Sequence, residues 1–364
     1  MKRLSVAIIG QGRSGRNIHG KFFMSDLNDR FDVKFIVERE EARRKRAEVD
    51  YPGCRTFAHY TELYPYKDEI DLVVNVTYSD EHYSVSKALL EQGFNVFVDK
   101  PFCRSYNECQ TLIKIAEEKG VTIAVFQQSF YTEMYRKAVE LIKSGRLGEV
   151  KQINVQYNGF ARRWDWQTVQ ACVAGGLYNT GPHPVGIALG LIDFDENVRV
   201  AYSKLACGMT SGDGDDFAKV ILDAPGKPTV DIEVSSLDAY SDFNIKLQGS
   251  RGSCKLSMGS YKMKYVVDSE NEPRPVIFES LRDEKGEPIF CKDNLVAHEE
   301  EGKFELSPFL DAVKDIYFDL YYKLTEGREM EVTAQMAASI ISVIETAHAQ
   351  NPLPIKFTSP GKRD

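Results

Sequence analysis

The feature that most constrains this chain is the apolar run at residues 6–9, which leads into three spaced glycines, Gly10, Gly12 and Gly15, with Gln11, Arg13 and Ser14 between them. An unbroken apolar run of this kind suits a strand buried on both faces of a parallel sheet. The glycines meet three separate demands: a tight turn, close approach of the backbone to a diphosphate, and close packing of the next helix on the strand. The amides that open that helix, and its dipole, favour negative charge there. Glycine-rich loops are common, so context decides. About twenty residues further on, as the motif expects, the apolar segment 33–37 ends in Glu38, whose carboxylate can accept both hydroxyl hydrogens of an adenosine ribose. The bland alternative is that Glu38 merely opens the charged helix that follows. Strand, glycines, helix and acid in that order favour a dinucleotide site. NAD is the expected cofactor. Arg39 directly after Glu38 keeps NADP open, whereas the basic cluster at 43–46 reads first as a solvated helix face.

The segments that follow alternate regularly: a strand at 71–77 with Thr77 at its carboxyl end, a helix at 81–92 stopped by Gly93, and a strand at 95–98 that leads into Asp99, Lys100 and Pro101. A helix through 117 and a strand at 121–125 complete the series. Such alternation specifies an α/β fold with a doubly wound parallel sheet, and places a Rossmann domain at 1–128. Beyond it come a helix at 131–144, a half-exposed strand at 149–157, and a strand-rich stretch at 199–256 with turns at 212–214, 225–226 and 249–252. This reads as an α/β domain with a large, mostly antiparallel sheet, open on one face to solvent or a partner. Helices at 307–324 and 333–349 close the second domain, 129–350, and an extended tail occupies 351–364. A chain of 364 residues can bury two cores. Its net charge of −8 argues against a nucleic-acid surface, and no apolar run approaches membrane-spanning length. Seven cysteines, scattered and never in a C-x-x-C pair, fit reduced thiols in a cytoplasm better than disulfides or a metal site.

Several residues carry candidate chemistry. Lys100 lies at the carboxyl end of a parallel strand, where ligands of open α/β sheets bind, and Pro101 restricts its backbone. An ammonium there can stabilise alkoxide character as hydride leaves a hydroxyl; a surface lysine is the bland alternative. His183 is the best base candidate among six histidines. It follows Asn179 by four residues, so the two share a face if the segment is helical; a helix-start histidine capping backbone groups competes with that reading. His82 suits cofactor packing or a helix terminus. His19, His59, His298 and His348 have no supporting constellation. Arg163, Trp164 and Trp166, in the cluster 162–166, suit a sugar face or the nicotinamide end of a cofactor, against the alternative of a packed loop.

Taken in order, these pieces resemble the Gfo/Idh/MocA family of glucose–fructose oxidoreductases and inositol dehydrogenases. The resemblance rests on the glycine turn 10–15, Thr77 with His82, the segment 99–102, the loop 144–150 and the segment 175–183, and it covers nearly the whole chain. It implies nicotinamide-linked oxidation of a sugar, sugar-acid or cyclitol hydroxyl. It also implies a small-molecule substrate and a homodimer or homotetramer built through the C-terminal sheet. On it, Gly10, Gln11, Gly12, Arg13, Ser14, Gly15, Glu38, Arg39, Thr77, His82, Asp99, Lys100 and Gln128 are expected to bind cofactor. Lys100, His183 and Asn179 are expected to serve catalysis. Lys100, Arg163, Trp164, Trp166, Asn179 and His183 are expected at the substrate. Two departures stand out. Asp99 replaces the family's usual Glu, and Asn179 and Gly186 occupy the places of two acids that flank the family's histidine. Loss of both acids would permit a non-catalytic dinucleotide-binding regulator, which Lys100 and His183 argue against; a glycosidase using bound NAD for transient oxidation is a further alternative.

Overall fold

The computed structural model describes residues 2–304 and 308–361. Met1, the expected helix start at Ser307 and the end of the tail at 362–364 lie outside the described residues.

The first sheet is six-stranded and parallel: β1 (Leu4–Ile9), β2 (Phe31–Val37), β3 (Arg55–Phe57), β4 (Leu72–Asn75), β5 (Val96–Val98) and β6 (Ile123–Val125), in the order β3-β2-β1-β4-β5-β6. This is the doubly wound arrangement, whose order reverses beside β1 and so opens a crevice at the carboxyl ends of β1 and β4. β4 and β5 are buried along their whole length, which explains why their residues are apolar except for Asn75 at the end of β4. Their crossovers run through α1 (Gly20–Phe23), α2 (Glu41–Asp50), α3 (His82–Glu91) and α4 (Tyr106–Lys119). α4 starts in a capping box, Ser105 with Glu108, and ends at Gly120 in the left-handed region, a pairing that satisfies both orphaned ends.

After α5 (Glu133–Lys143) the chain enters β7 (Val150–Asn158), then α6 (Gly176–Asn179) and α7 (Pro182–Gly190). A second sheet follows with β8 (Arg199–Ala206), β9 (Phe217–Asp223), β10 (Thr229–Ser235), β11 (Ile245–Gly249), β12 (Gly252–Leu256), β13 (Ser260–Val266) and β14 (Ala297–Lys303). These seven strands and β7 form an eight-stranded sheet, antiparallel except where β7 runs parallel to β10. It extends two strands beyond the expected end at 256. One face packs on α6, α7 and the late helix α9 (Ala334–Gln350); the other is open. The other late helix, α8 (Pro308–Glu326), turns back to the first sheet: its Tyr317 stacks on Phe22 at 4.8 Å and meets Phe97 edge-on at 5.2 Å. The two sheets therefore share one continuous core. The tail is extended, as expected, and its Lys356 and Phe357 amides donate to Asp213 Oδ2 at 2.8 and 3.0 Å.

Candidate active site

β1 delivers the chain to Gly10, whose φ of 99° is one that side-chain-bearing residues rarely adopt. A Cβ there would lie 2.5 Å from the Val76 carbonyl oxygen. At Gly15 a Cβ would strike the Gly10 carbonyl, whereas at Gly12 it would meet nothing within 4 Å. Turn, helix packing and an open approach are thus divided among the three glycines as the motif requires. The helix itself begins as a π-helical turn, Gly15–His19, before α1. Glu38 is buried at the end of β2. Its Oε2 accepts from the Gln11 amide at 2.7 Å and its Oε1 from the Glu40 amide at 3.0 Å. The carboxylate keeps lone pairs for ribose hydroxyls. The nearby cations are already committed: Arg39 donates to Glu81 at 2.7 Å, and Arg43 pairs with Glu40 at 2.9 Å. Open space over Gly12 and an anchored carboxylate at Glu38 fit a dinucleotide.

From this turn a cleft of about 550 Å³ runs along the carboxyl ends of the first sheet to α7. Its wall includes Gly10, Gly12, Arg13, Ser14, Glu38, Arg39, Thr77, His82, Asp99, Lys100, Gln128, Arg163, Trp166, Asn179 and His183. Three expected site residues are not on it. Gln11 and Gly15 lie beneath the glycine turn, where they shape the loop. Trp164 is 79% exposed: in the extended stretch before Trp166, successive side chains point to opposite sides, so Arg163 and Asp165 face the cleft and Trp164 faces water.

Thr77 Oγ1 donates to Asn75 Oδ1 at 2.8 Å, which ties the end of β4 to its last residue. His82 opens α3 with its Nδ1 2.7 Å from the Pro101 carbonyl and its Nε2 3.3 Å from that of Thr77. Burial pushes its pKa down, so the neutral ring donates from Nδ1 and fixes the turn that carries Lys100. The Lys100–Pro101 peptide is cis. Asp99 Oδ1 accepts from the Lys100 amide at 2.8 Å. Burial would raise the Asp99 carboxyl, but His19 and then the Lys100 charge outweigh it and hold it well below the usual range. His19 therefore does have a constellation: its Nδ1 meets the Tyr317 hydroxyl at 2.6 Å and its Nε2 stands 4.0 Å from Asp99. α8, folding back on the first sheet, supplies the Tyr317 hydroxyl.

Lys100 Nζ donates to the main-chain oxygen of Asn179 at 2.7 Å. Burial lowers the Lys100 pKa, Asp99 raises it, and Arg163 and Arg13 lower it again. His183 opens α7 and lines the cleft with its Nδ1 buried and unpartnered among the described residues. Burial first, and then the Lys100 charge, push its pKa down to about 3. The expected shared helical face with Asn179 does not form, because α6 ends at Asn179 and α7 begins at Pro182. The Asn179 side chain instead accepts from Gln167 Nε2 at 3.0 Å. At Gly186 a Cβ would lie 2.9 Å from Ile340 Cδ1 and 3.0 Å from Phe130, so the place of the second family acid is an apolar contact between helices.

The sequence reading missed Tyr78, Asp165 and Gln167 on the cleft wall. Tyr78 meets Trp166 edge-on at 4.9 Å, and its position just past a strand end was a usable signal. Arg163 is held by Asp165 and Gln167, contacts within one irregular loop that no periodicity announces. No cluster of metal-ligating side chains occurs among the described residues, and no described helix is long and apolar enough to cross a membrane.

Comparison with known proteins agrees with this geometry. Residues 4–127 match a family described as an oxidoreductase family with an NAD-binding Rossmann fold, and residues 135–255 match the GFO/IDH/MocA C-terminal domain. The scyllo-inositol 2-dehydrogenase (NADP(+)) IolW of Bacillus subtilis is 24% identical over 359 residues, covering 94% of this chain and 92% of its own. A 2,7-anhydro-N-acetylneuraminate hydratase of Mediterraneibacter gnavus is 23% identical, over 75% of this chain and 72% of its own. GenD2 from gentamicin A biosynthesis, solved in complex with NAD, superposes with a TM-score of 0.72 at 19% identity, over 96% of this chain and 94% of its own. With both of its domains matched in order, the chain belongs to the Gfo/Idh/MocA family of NAD-binding oxidoreductases.

Proposed function

We propose that the chain is an NAD-preferring dehydrogenase of a sugar, sugar acid or cyclitol. The observation that carries this reading is the meeting of the Lys100 ammonium and the neutral His183 ring on one wall of a cleft that begins at Gly12 and Glu38. NAD, when bound, supplies the hydride acceptor. Glu38 would receive the adenosine ribose hydroxyls and repel a 2′-phosphate. Lys100 would hold the substrate oxygen and stabilise its developing negative charge. His183 would take the hydroxyl proton at Nε2, since Nδ1 is sealed from the cleft. Trp166 and Tyr78 offer an aromatic surface for the apolar face of a ring, with Arg163 and Gln167 beside them for its hydroxyls or carboxylate.

On this reading residues 1–128 form the cofactor module, 129–350 the substrate and assembly module, and 351–364 the tail. Seven scattered cysteines, none in a C-x-x-C pair, suit a cytoplasmic setting. A homodimer through the open sheet is supported by two features. Lys246, Lys255 and Lys262 are adjacent across β11, β12 and β13 and make a basic strip, although Lys255 already pairs with Asp242 at 2.7 Å and Lys262 with Glu299 at 3.9 Å. An arm at 271–296 leaves Phe278 93% and Phe290 88% exposed, and its acidic residues outnumber its basic ones.

The test is a panel of inositols, aldoses and aldonic acids with NAD or NADP, read as formation of reduced cofactor, together with Lys100→Met. Turnover with NAD is expected, and a loss of about 10²–10³-fold in Lys100→Met with NAD affinity retained. The hydratase relative sets the contrary outcome: conversion of a sugar with the cofactor retained and no net reduction would overturn the dehydrogenase reading.

A further inference from the structure

The loop between β8 and β9, in which the sequence marks only a turn, carries three buried carboxylates, Asp213, Asp215 and Asp216. Each takes main-chain amides. Asp213 Oδ1 accepts from Gln170 at 2.8 Å and its Oδ2 from the tail. Asp216 accepts from Gly208, Met209 and Thr210 at 2.5, 2.7 and 2.6 Å. Asp215 differs from the other two in what it holds. Its Oδ2 accepts from the Leu177 amide at 2.8 Å and its main-chain oxygen from the Gly176 amide at 2.5 Å. Those two amides open α6, and the residue that closes α6, Asn179, presents its carbonyl to Lys100 Nζ. One helical turn therefore links Asp215 to the ammonium in the cleft.

The turn is tightly seated. Gly175 has a φ of 109°, and a Cβ on Gly176 would come within 3.1 Å of Asp215 Oδ2. Within α6 the Tyr178 ring stacks on His348 of α9 at 4.8 Å. His348 Nε2 stands 3.8 Å from Asp215 Oδ1, and neither atom has a hydrogen-bond partner among the described residues. A carboxyl buried without a cation is a poor choice for stability. Burial lifts Asp215 to about 7 and pushes His348 down to about 4. Retaining such a group points to a role in the site.

We infer that Asp215 is a positioning residue for Lys100: its carboxyl fixes the start of α6, and α6 presents the Asn179 carbonyl that holds the ammonium. The inference rests on the reading of Lys100 as the catalytic cation. A hydrogen bond to the charged form favours that form, so the Asn179 carbonyl keeps Lys100 protonated against burial, Arg163 and Arg13, with Asp99 acting in the same sense and the neutral His183 adding no charge. Release of α6 removes that acceptor and lowers the Lys100 pKa.

The experiment uses Asp215→Ala, Asp215→Asn and Gly176→Ala. The pH dependence of Lys100 acetylation by acetic anhydride, read by peptide mass, reports the lysine's titration without any substrate. Asp215→Ala is expected to move it down by about one pH unit and to lower kcat by roughly 10–100-fold, the scale of a small misplacement, with NAD affinity unchanged. Asp215→Asn keeps an acceptor oxygen and restores both. Gly176→Ala crowds the carboxyl without removing it, and is expected to shift Lys100 in the same direction by less; it carries the test if Asp215→Ala does not fold. An unmoved Lys100 titration in the folded variants, or an Asn variant no better than Ala, overturns the inference. If Lys100 shifts but no polyol is turned over, positioning stands and the dehydrogenase reading falls.

Discussion

Burial and the Lys100 charge together push the His183 imidazole down to about 3, so at pH 7 the ring is a neutral acceptor that needs no neighbouring acid to deprotonate it. The acidic limb of kcat/KM, which reports the free enzyme, is therefore expected below about pH 5, and His183→Ala should abolish most activity. Asn179→Asp places a carboxylate at the end of α6 and is expected to raise the limb, because a nearby negative charge favours the imidazolium. Stability follows the same shift. The folded pKa lies below the ordinary 6.5, so between those values the unfolded chain binds a proton that the folded chain refuses. Stability is then lost as pH falls through that window. In His183→Gln the slope should flatten by up to about 1.4 kcal/mol per pH unit, measured by urea unfolding at about pH 4.5 and 5.5. The residue types of this site, a lysine after a strand and a histidine after glycines, could be named from spacing. What each side chain touches could not: Trp164 and Trp166 are two positions apart and end up in water and in the cleft.

At the scale of elements, α7 explains why one family acid is missing. Gly186 packs where Phe130, from a 3-10 turn that follows β6, meets Ile340 of α9. Gly186→Asp would press a carboxylate into that apolar contact, so we expect a destabilisation of several kcal/mol, on the order of 3–5, and no gain in turnover; thermal unfolding and the polyol assay check the two halves. The break between α6 and α7 has an equally local consequence. Without a continuous helix the i,i+4 relation of Asn179 and His183 lapses, and the Asn179 main chain, not its side chain, serves Lys100. β14 escaped notice because its AHEEEGK sequence carries almost no apolar signal; it is an edge strand whose Glu299 pairs with Lys264 at 2.9 Å.

At the scale of the whole molecule, the arm at 271–296 has no fully buried side chain, while ordering a residue costs about 1–2 kcal/mol. On the proposed dimer, the arm would gain its order by packing on a second copy. Replacing both Phe278 and Phe290 by Asp is expected to convert a dimer into a monomer in light scattering without lowering the thermal stability of the Rossmann half. Unchanged mass would place the interface elsewhere.

What the sequence by itself determined is five of the six strands of the first sheet with their helices, the short β3 (Arg55–Phe57) going unread, the glycine turn with Glu38, and Lys100 and His183 as candidates. Those signals are local: strand burial, turn geometry and strand-end position are written in residues close together along the chain. What only the tertiary structure decided are the contacts over long separations: His19 behind Asp99 through Tyr317, the Asn179 carbonyl on Lys100, Asp215 at the start of α6, and Gly186 against Ile340. Each depends on the C-terminal helices and the second sheet closing over the first, and that closure is driven by non-directional burial of apolar surface, which leaves no spacing in the sequence from which a particular partner can be read.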